Sequence, residues 1–199
     1  MAVNDYLTEE ERFALENVTI GICGAGGLGS NCAAHLVRAG VRKFVLADYD
    51  VVTESNLNRQ FFFRDQIGEK KVFALATNLR RISEGLSLTL VDRRLSEADI
   101  PEVFASCDII VEAVDRAETK ARLIALVLKM GKRLVTASGM AGWGRSNLLK
   151  VRRMGTDVIV VGDAESEVSS TQPPQSPRVG IVAAQEANSV ISMILGKEI

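Results

Sequence analysis

Residues 24–29, GAGGLG, set glycines at positions 24, 26 and 29 between an apolar run and a segment of helical composition. No other feature constrains the chain as strongly. Lacking a Cβ, such glycines let a strand turn sharply into a helix and let backbone amides approach a phosphate at the helix N-terminus. The flanks fit that geometry. Residues 18–23 read as a buried strand, residues 30–39 as a helix stopped by Gly40, and residues 43–48 as a second strand. A βαβ unit with a nucleotide-binding turn is expected. A P-loop is excluded, because Ser30 and Asn31 stand where that motif needs Lys followed by Ser or Thr.

The alternation continues. A polar loop over 49–66 leads to a predicted helix over 71–82, a strand over 88–92, a short helix over 96–105, a strand over 108–113, a helix over 117–130 and a strand over 133–138. Strands alternating with helices predict an α/β fold, a Rossmann-like, mostly parallel sheet with helices on both faces. Two runs, 146–153 and 157–161, flank a turn at Gly155 and predict an added antiparallel segment, so the sheet should be mixed. Thr8 and Glu11 fit a capping box that opens an N-terminal helix over 7–17. Residues 163–178, DAESEVSSTQPPQSPR, hold three of the four prolines and read as a mobile, crossover-type loop before a closing helix over 181–195. With 199 residues, 47% of them hydrophobic, the chain can bury one substantial core and is too short for two α/β domains, so 1–199 is expected to be a single domain.

Acidic and basic side chains nearly cancel, with a formal net charge of -1, so the basic field of a nucleic-acid binder is missing. No apolar run reaches the ~18 residues of a membrane span, and the acidic N-terminus lacks a signal pattern. The expectation is a soluble, cytoplasmic protein whose partner is a protein or a small molecule. Cys23, Cys32 and Cys107 are scattered and odd in number, which predicts buried structural thiols rather than disulfides or a zinc clip. His35, the single histidine, sits mid-helix with nothing nearby in sequence to orient it, and is expected to be a partly buried bystander.

The chemistry concentrates after the second strand. Asp48 stands 19 residues beyond the last glycine, where an acid can accept hydrogen bonds from ribose hydroxyls, a signal shared by NAD and ATP sites. The stretch from Asp48 through Asp50, Ser55, Asn56, Asn58 and Arg59 then packs acids, amides and a cation into one loop at the carboxyl edge of the sheet. Hydride transfer has no need of such a loop. A triphosphate does: Arg59 offers a planar fork to phosphate oxygens and Lys71 a compact point charge. Asp115 ends an apolar run and should face the same edge, either as a hard oxygen ligand for Mg²⁺ or as the cap of the next helix. Phe61, Phe62 and Phe63 are read as core or dimer packing, with a platform for adenine as the alternative.

GAGGLGS, then DYDVVTESNLNRQ, then IGEKK resembles the superfamily of ThiF, MoeB and the ubiquitin-activating enzymes, in order and in spacing, and the closing PRVGIVAAQEAN extends the likeness over nearly the whole chain. The resemblance implies that Gly24, Gly26, Gly27, Gly29, Asp48, Asp50, Ser55, Asn56 and Asn58 surround ATP. It implies that Asn56 and Arg59 hold the phosphates, that Lys71 neutralises them during transfer and that Asp115 binds Mg²⁺. The implied activity is adenylation of the C-terminal glycine of a small ubiquitin-like sulfur carrier protein ending in Gly-Gly, by a homodimer, with thiamine biosynthesis the expected pathway and other sulfur carriers the alternative. Three departures stand out. No Cys follows Cys107, so no zinc is expected, and sulfur should come from a separate donor protein. Arg12 is the only arginine ahead of the first strand, and its spacing does not match the arginine of relatives. Arg116 stands where relatives often have Asn. An NAD-dependent oxidoreductase and a non-catalytic partner subunit are the competing readings.

Overall fold

A computed structural model describes residues 6–198. Its seven strands are β1 (Thr19–Cys23), β2 (Lys43–Ala47), β3 (Ser87–Val91), β4 (Ile109–Glu112), β5 (Arg133–Ala137), β6 (Lys150–Met154) and β7 (Val158–Gly162). They form one sheet in the order β3-β2-β1-β4-β5-β7-β6. Every pairing is parallel except β6 with β7, which run antiparallel with Lys150 opposite Gly162 and Met154 opposite Val158. The strand order reverses at β1, so the ends of β1 and β4 open a crevice at the carboxyl edge, the usual ligand site of such sheets.

Helices α1 (Glu9–Asn17), α2 (Gly27–Ala39), α3 (Lys71–Ile82) and α6 (Ser176–Leu195) share one core that includes Leu15, Ile22, Leu36, Phe44, Leu79 and Val190. Helices α4 (Asp99–Val103) and α5 (Ala117–Lys129) contribute to a second, smaller core with Phe104, Ile110, Leu123, Val127 and Leu134. The central strands bury residues toward both cores, which is why they read as continuous apolar runs. Each fully buried Leu or Ile contributes about 1.5–3 kcal/mol. Among the described residues no helix is long and apolar enough to cross a membrane.

The expected helix after the glycines begins three residues early, at Gly27, because the second half of the glycine turn is already its first turn. Gly24 adopts φ +104°, and a Cβ there would stand 2.6 Å from the Ala113 carbonyl oxygen. The first helix starts at Glu9, with Thr8 and Glu11 closing the capping box. The closing helix starts at Ser176 rather than 181, with Pro177 in its first turn, where a missing N–H costs nothing. Residues 176–178 therefore belong to a helix and not to the proline loop. Residues 146–148 form a 3-10 turn, and the strand begins only at Lys150. All three cysteines are free and buried; burial pushes the Cys23 and Cys107 thiols up to about 12 and Cys32 also well above its ordinary value. They are inert thiols. His35 lies on the exposed face of α2, and partial desolvation together with nearby Arg38 lowers its pKa. Phe62 is buried, whereas Phe63 is exposed and packs edge-on to Phe61 with ring centroids 5.8 Å apart.

Candidate functional site

A cavity of about 1160 Å³ lies over the carboxyl ends of β2, β1, β4 and β5. Gly24, Gly26, Gly27, Asp48, Asp50, Arg59, Lys71 and Asp115 all border it. Gly29, Ser55, Asn56 and Asn58 do not.

The glycine turn forms one wall. A Cβ on Gly29 would sit 1.8 Å from the Gly24 carbonyl oxygen, so Gly29 welds α2 onto the turn instead of facing a ligand. Gly26 has no side-chain cap to offer, which leaves the amides of Gly27 and Leu28, residues that border the cavity, as potential donors. Asp48 belongs to this wall. One of its carboxylate oxygens accepts from the Ala25 amide at 2.6 Å and the other from the Asp50 amide at 2.8 Å. Its first task is therefore to hold the glycine turn against the end of β2.

The loop after β2 brings the cations. Ser30 and Asn31, which fail the P-loop pattern, tie this loop to α2: the Phe61 amide donates to Ser30 Oγ at 3.0 Å, and Asn31 Nδ2 donates to the Arg59 carbonyl at 2.9 Å. Asn56 accepts from the Thr53 amide at 3.0 Å and caps a 3-10 turn over Glu54–Asn56. Arg59 donates to Asn58 Oδ1 at 2.7 Å and to the Ser55 carbonyl at 3.2 Å. Ser55, Asn56 and Asn58 thus shape the loop and aim Arg59 rather than line the cavity. Lys71, the first residue of α3, is buried and pairs with Asp50 at 2.8 Å, while Asp50 stays half-exposed.

Across the cavity, Asp115 follows β4. Its carboxylate is exposed and makes no hydrogen bond or ion pair among the described residues. The cap position of α5 is Arg116, so capping is not the role of Asp115. Beneath this turn lies an unexpected network. Glu112, fully buried at the end of β4, accepts from the Val114 amide at 2.9 Å, from Thr136 Oγ1 at 2.5 Å and from Lys120 Nζ. An acid ending the apolar run IIVE was the one sequence signal for it.

The third wall comes from residues 138–140 after β5 and 164–168 after β7. The expected mobile loop is pinned at its base. Arg178 donates to Asp163 at 2.6 Å and to the Gly144 carbonyl at 2.6 Å, and the side chains of Arg178 and Asp163 are both buried. Burial alone would raise the Asp163 carboxyl, but the Ser166 and Glu165 amides outweigh it and hold it below the usual range. Gly142 also pairs with Pro174.

A mostly parallel sheet whose glycine turn sits at the switch point, with polar groups gathered at its carboxyl edge, defines a Rossmann-like α/β protein. The chain belongs to the ThiF family, whose model matches residues 1–199. Among curated proteins it is 31% identical over 144 residues to the adenylyltransferase and sulfurtransferase MOCS3 of Caenorhabditis briggsae, covering 72% of this chain and 35% of that protein. It is 28% identical over 188 residues to the adenylyltransferase and sulfurtransferase UBA4 of Candida glabrata, covering 92% and 43%. The chain thus spans less than half the length of these relatives. Among solved structures, the E. coli tRNA N6-threonylcarbamoyladenosine dehydratase TcdA in complex with AMP superposes with a TM-score of 0.88 at 21% identity, over 98% of this chain and 92% of that one. E. coli MccB with AMPCPP and MccA superposes with a TM-score of 0.73 at 20% identity, over 93% and 58%. These two likenesses describe the fold.

Proposed function

We propose that this chain binds ATP in the cavity and adenylates the C-terminal glycine carboxylate of a small ubiquitin-like sulfur carrier protein. One observation carries the reading: the glycine turn, Arg59, Lys71 and Asp115 border the same cavity. A nucleotide's phosphates would rest on the amides of Gly26 and Gly27, with Arg59 and Lys71 on one flank. Asp115 would hold Mg²⁺, which suits its unpartnered hard oxygens and supplies further charge neutralisation when bound. In the reaction a carboxylate oxygen of the carrier bonds to the α-phosphorus, the bond from that phosphorus to the bridging oxygen breaks, and pyrophosphate leaves with the electron pair. No proton moves, because the attacking carboxylate is already ionised at neutral pH. The barrier is the meeting of two anions, so fixed cations and backbone dipoles suffice as catalysts. The carrier's flexible Gly-Gly end would enter beside residues 164–168, under the pinned loop.

The finer reading is a homodimer serving thiamine biosynthesis, with sulfur delivered by a separate protein; the exposed apolar residues Phe63, Ile67 and Phe73 support a protein contact near the cation loop. A second reading places the carboxylate on RNA. It is favoured by the likeness to TcdA over 92% of that chain and by three exposed arginines, Arg93, Arg94 and Arg116, on the cavity rim.

The test is exchange of labelled pyrophosphate into ATP with Mg²⁺, given a panel of Gly-Gly carriers in one arm and tRNA in the other. Exchange that depends on one carrier is expected. Exchange only with tRNA would replace the carrier reading, and failure to bind ATP would remove both.

A further inference from the structure

Lys120 is a cation of the cavity that no motif signals. It lies in the first turn of α5, which packs over β4 and β5. Its ammonium donates to Glu112 and reaches Thr136 Oγ1 at 3.3 Å. Those two acceptors are neighbours by sheet register, Glu112 on β4 lying opposite Thr136 on β5. An ammonium carries three donors, and the protein uses two. The side chain is 23% exposed and borders the cavity, so the remaining N–H faces that space.

Topology places this group. The glycine turn sits over β1; Arg59 and Lys71 come from the β2 side, and Lys120 from the β4–β5 side. A phosphate resting on the glycine turn lies between the two sets of cations. Ser138, Gly139 and residues 164–168, the wall on the β5 and β7 side, border the same cavity as Lys120. Stability alone does not explain the arrangement, since well-packed apolar residues in place of a buried ion pair are often neutral or stabilising.

Building on the adenylation reading, we infer that Lys120, locked by Glu112 and Thr136, is the residue that receives the acceptor's carboxylate and holds it for attack. Fixing the ammonium on a buried carboxylate leaves it little freedom to follow the triphosphate. It contributes a hydrogen bond and a charge at the acceptor subsite, and the bonds made and broken are those already described.

The experiment measures affinity of the carrier, and of the same carrier ending in a C-terminal amide, for enzyme loaded with a non-hydrolysable ATP analogue. Wild type should prefer the carboxylate about tenfold, the loss expected for one charged contact. The double variant Lys120→Met with Glu112→Gln leaves no unpaired buried charge and should fold; it should bind ATP as wild type does and bind both carriers equally weakly. Lys120→Arg should restore part of the preference. A folded double variant that keeps the wild-type preference for the carboxylate would overturn the inference while leaving adenylation standing. Absence of any carrier-dependent exchange by wild type would instead fell the adenylation reading, and this inference with it.

Discussion

Two lysines flank the cavity, and each is paired with a carboxylate, but the burial is reversed. Lys71 is 7% exposed and its partner Asp50 48%; Lys120 is 23% exposed and its partner Glu112 is fully buried. In the first pair the acid can return to water at little cost when a phosphate takes its place, so Lys71 is free to change partners. In the second the acid cannot be left alone, so Lys120 is held in one place. The same residue type and the same kind of contact thus give an exchangeable cation on the proposed nucleotide side and a fixed one on the proposed acceptor side.

Removing each lysine separates the two cases. Lys71→Ala should lower pyrophosphate exchange by about 10²–10³-fold, the scale of one lost donor to a transition-state charge, with little change in melting temperature because Asp50 resolvates. Unchanged exchange would place Lys71 outside the chemistry. Lys120→Ala strands Glu112 and should cost about 3–5 kcal/mol of stability, read as a fall of roughly 10 °C in Tm. A Tm equal to that of Lys71→Ala would erase the contrast between the pairs.

The most gradual effect concerns a third carboxyl near the same network. Glu186 on α6 is fully buried, and neither of its oxygens has a hydrogen-bond partner. Burial, reinforced by nearby Glu112 and opposed by Lys120, raises its pKa well above the ordinary value of 4.5. A raised acid binds its proton more tightly in the folded chain than in the unfolded one. Its contribution is therefore complete below about 4.5 and is lost as pH climbs toward the folded value. Glu186→Gln should remove that loss, so its stability advantage over wild type should grow above pH 5 by at most about 1.4 kcal/mol per pH unit. Parallel stability curves from pH 5 to 9 would show that Glu186 does not titrate as its surroundings imply.

What could be read in advance was local. The glycine turn, the run of alternating strands and helices, and Arg59 and Lys71 announce themselves within a few residues of chain, through spacing and periodicity. The groups that escaped are joined by the sheet or by long closure: Glu112 meets Thr136 and Lys120 only once β4 pairs with β5, and Asp163 meets Arg178 only after the proline loop folds back. Ser55, Asn56 and Asn58 were legible as polar loop residues, but whether such a residue faces a ligand or its own backbone depends on how the chain turns. Helix starts slipped for the same reason. Gly27 and Ser176 open helices where composition alone suggests a loop, because the loop and the first turn share residues.

The antiparallel hairpin bears on how the molecule lives beside its own copies. Its last strand, β6, presents Lys150, Arg152 and Arg153 along the outer rim, and beneath it lies the apolar β7 segment Val158–Gly162. An uncovered β7 would offer a ready template for another chain to add a strand. By capping it with a short basic strand, the fold ends this side of the sheet on like charges that disfavour pairing with the same edge of a second copy.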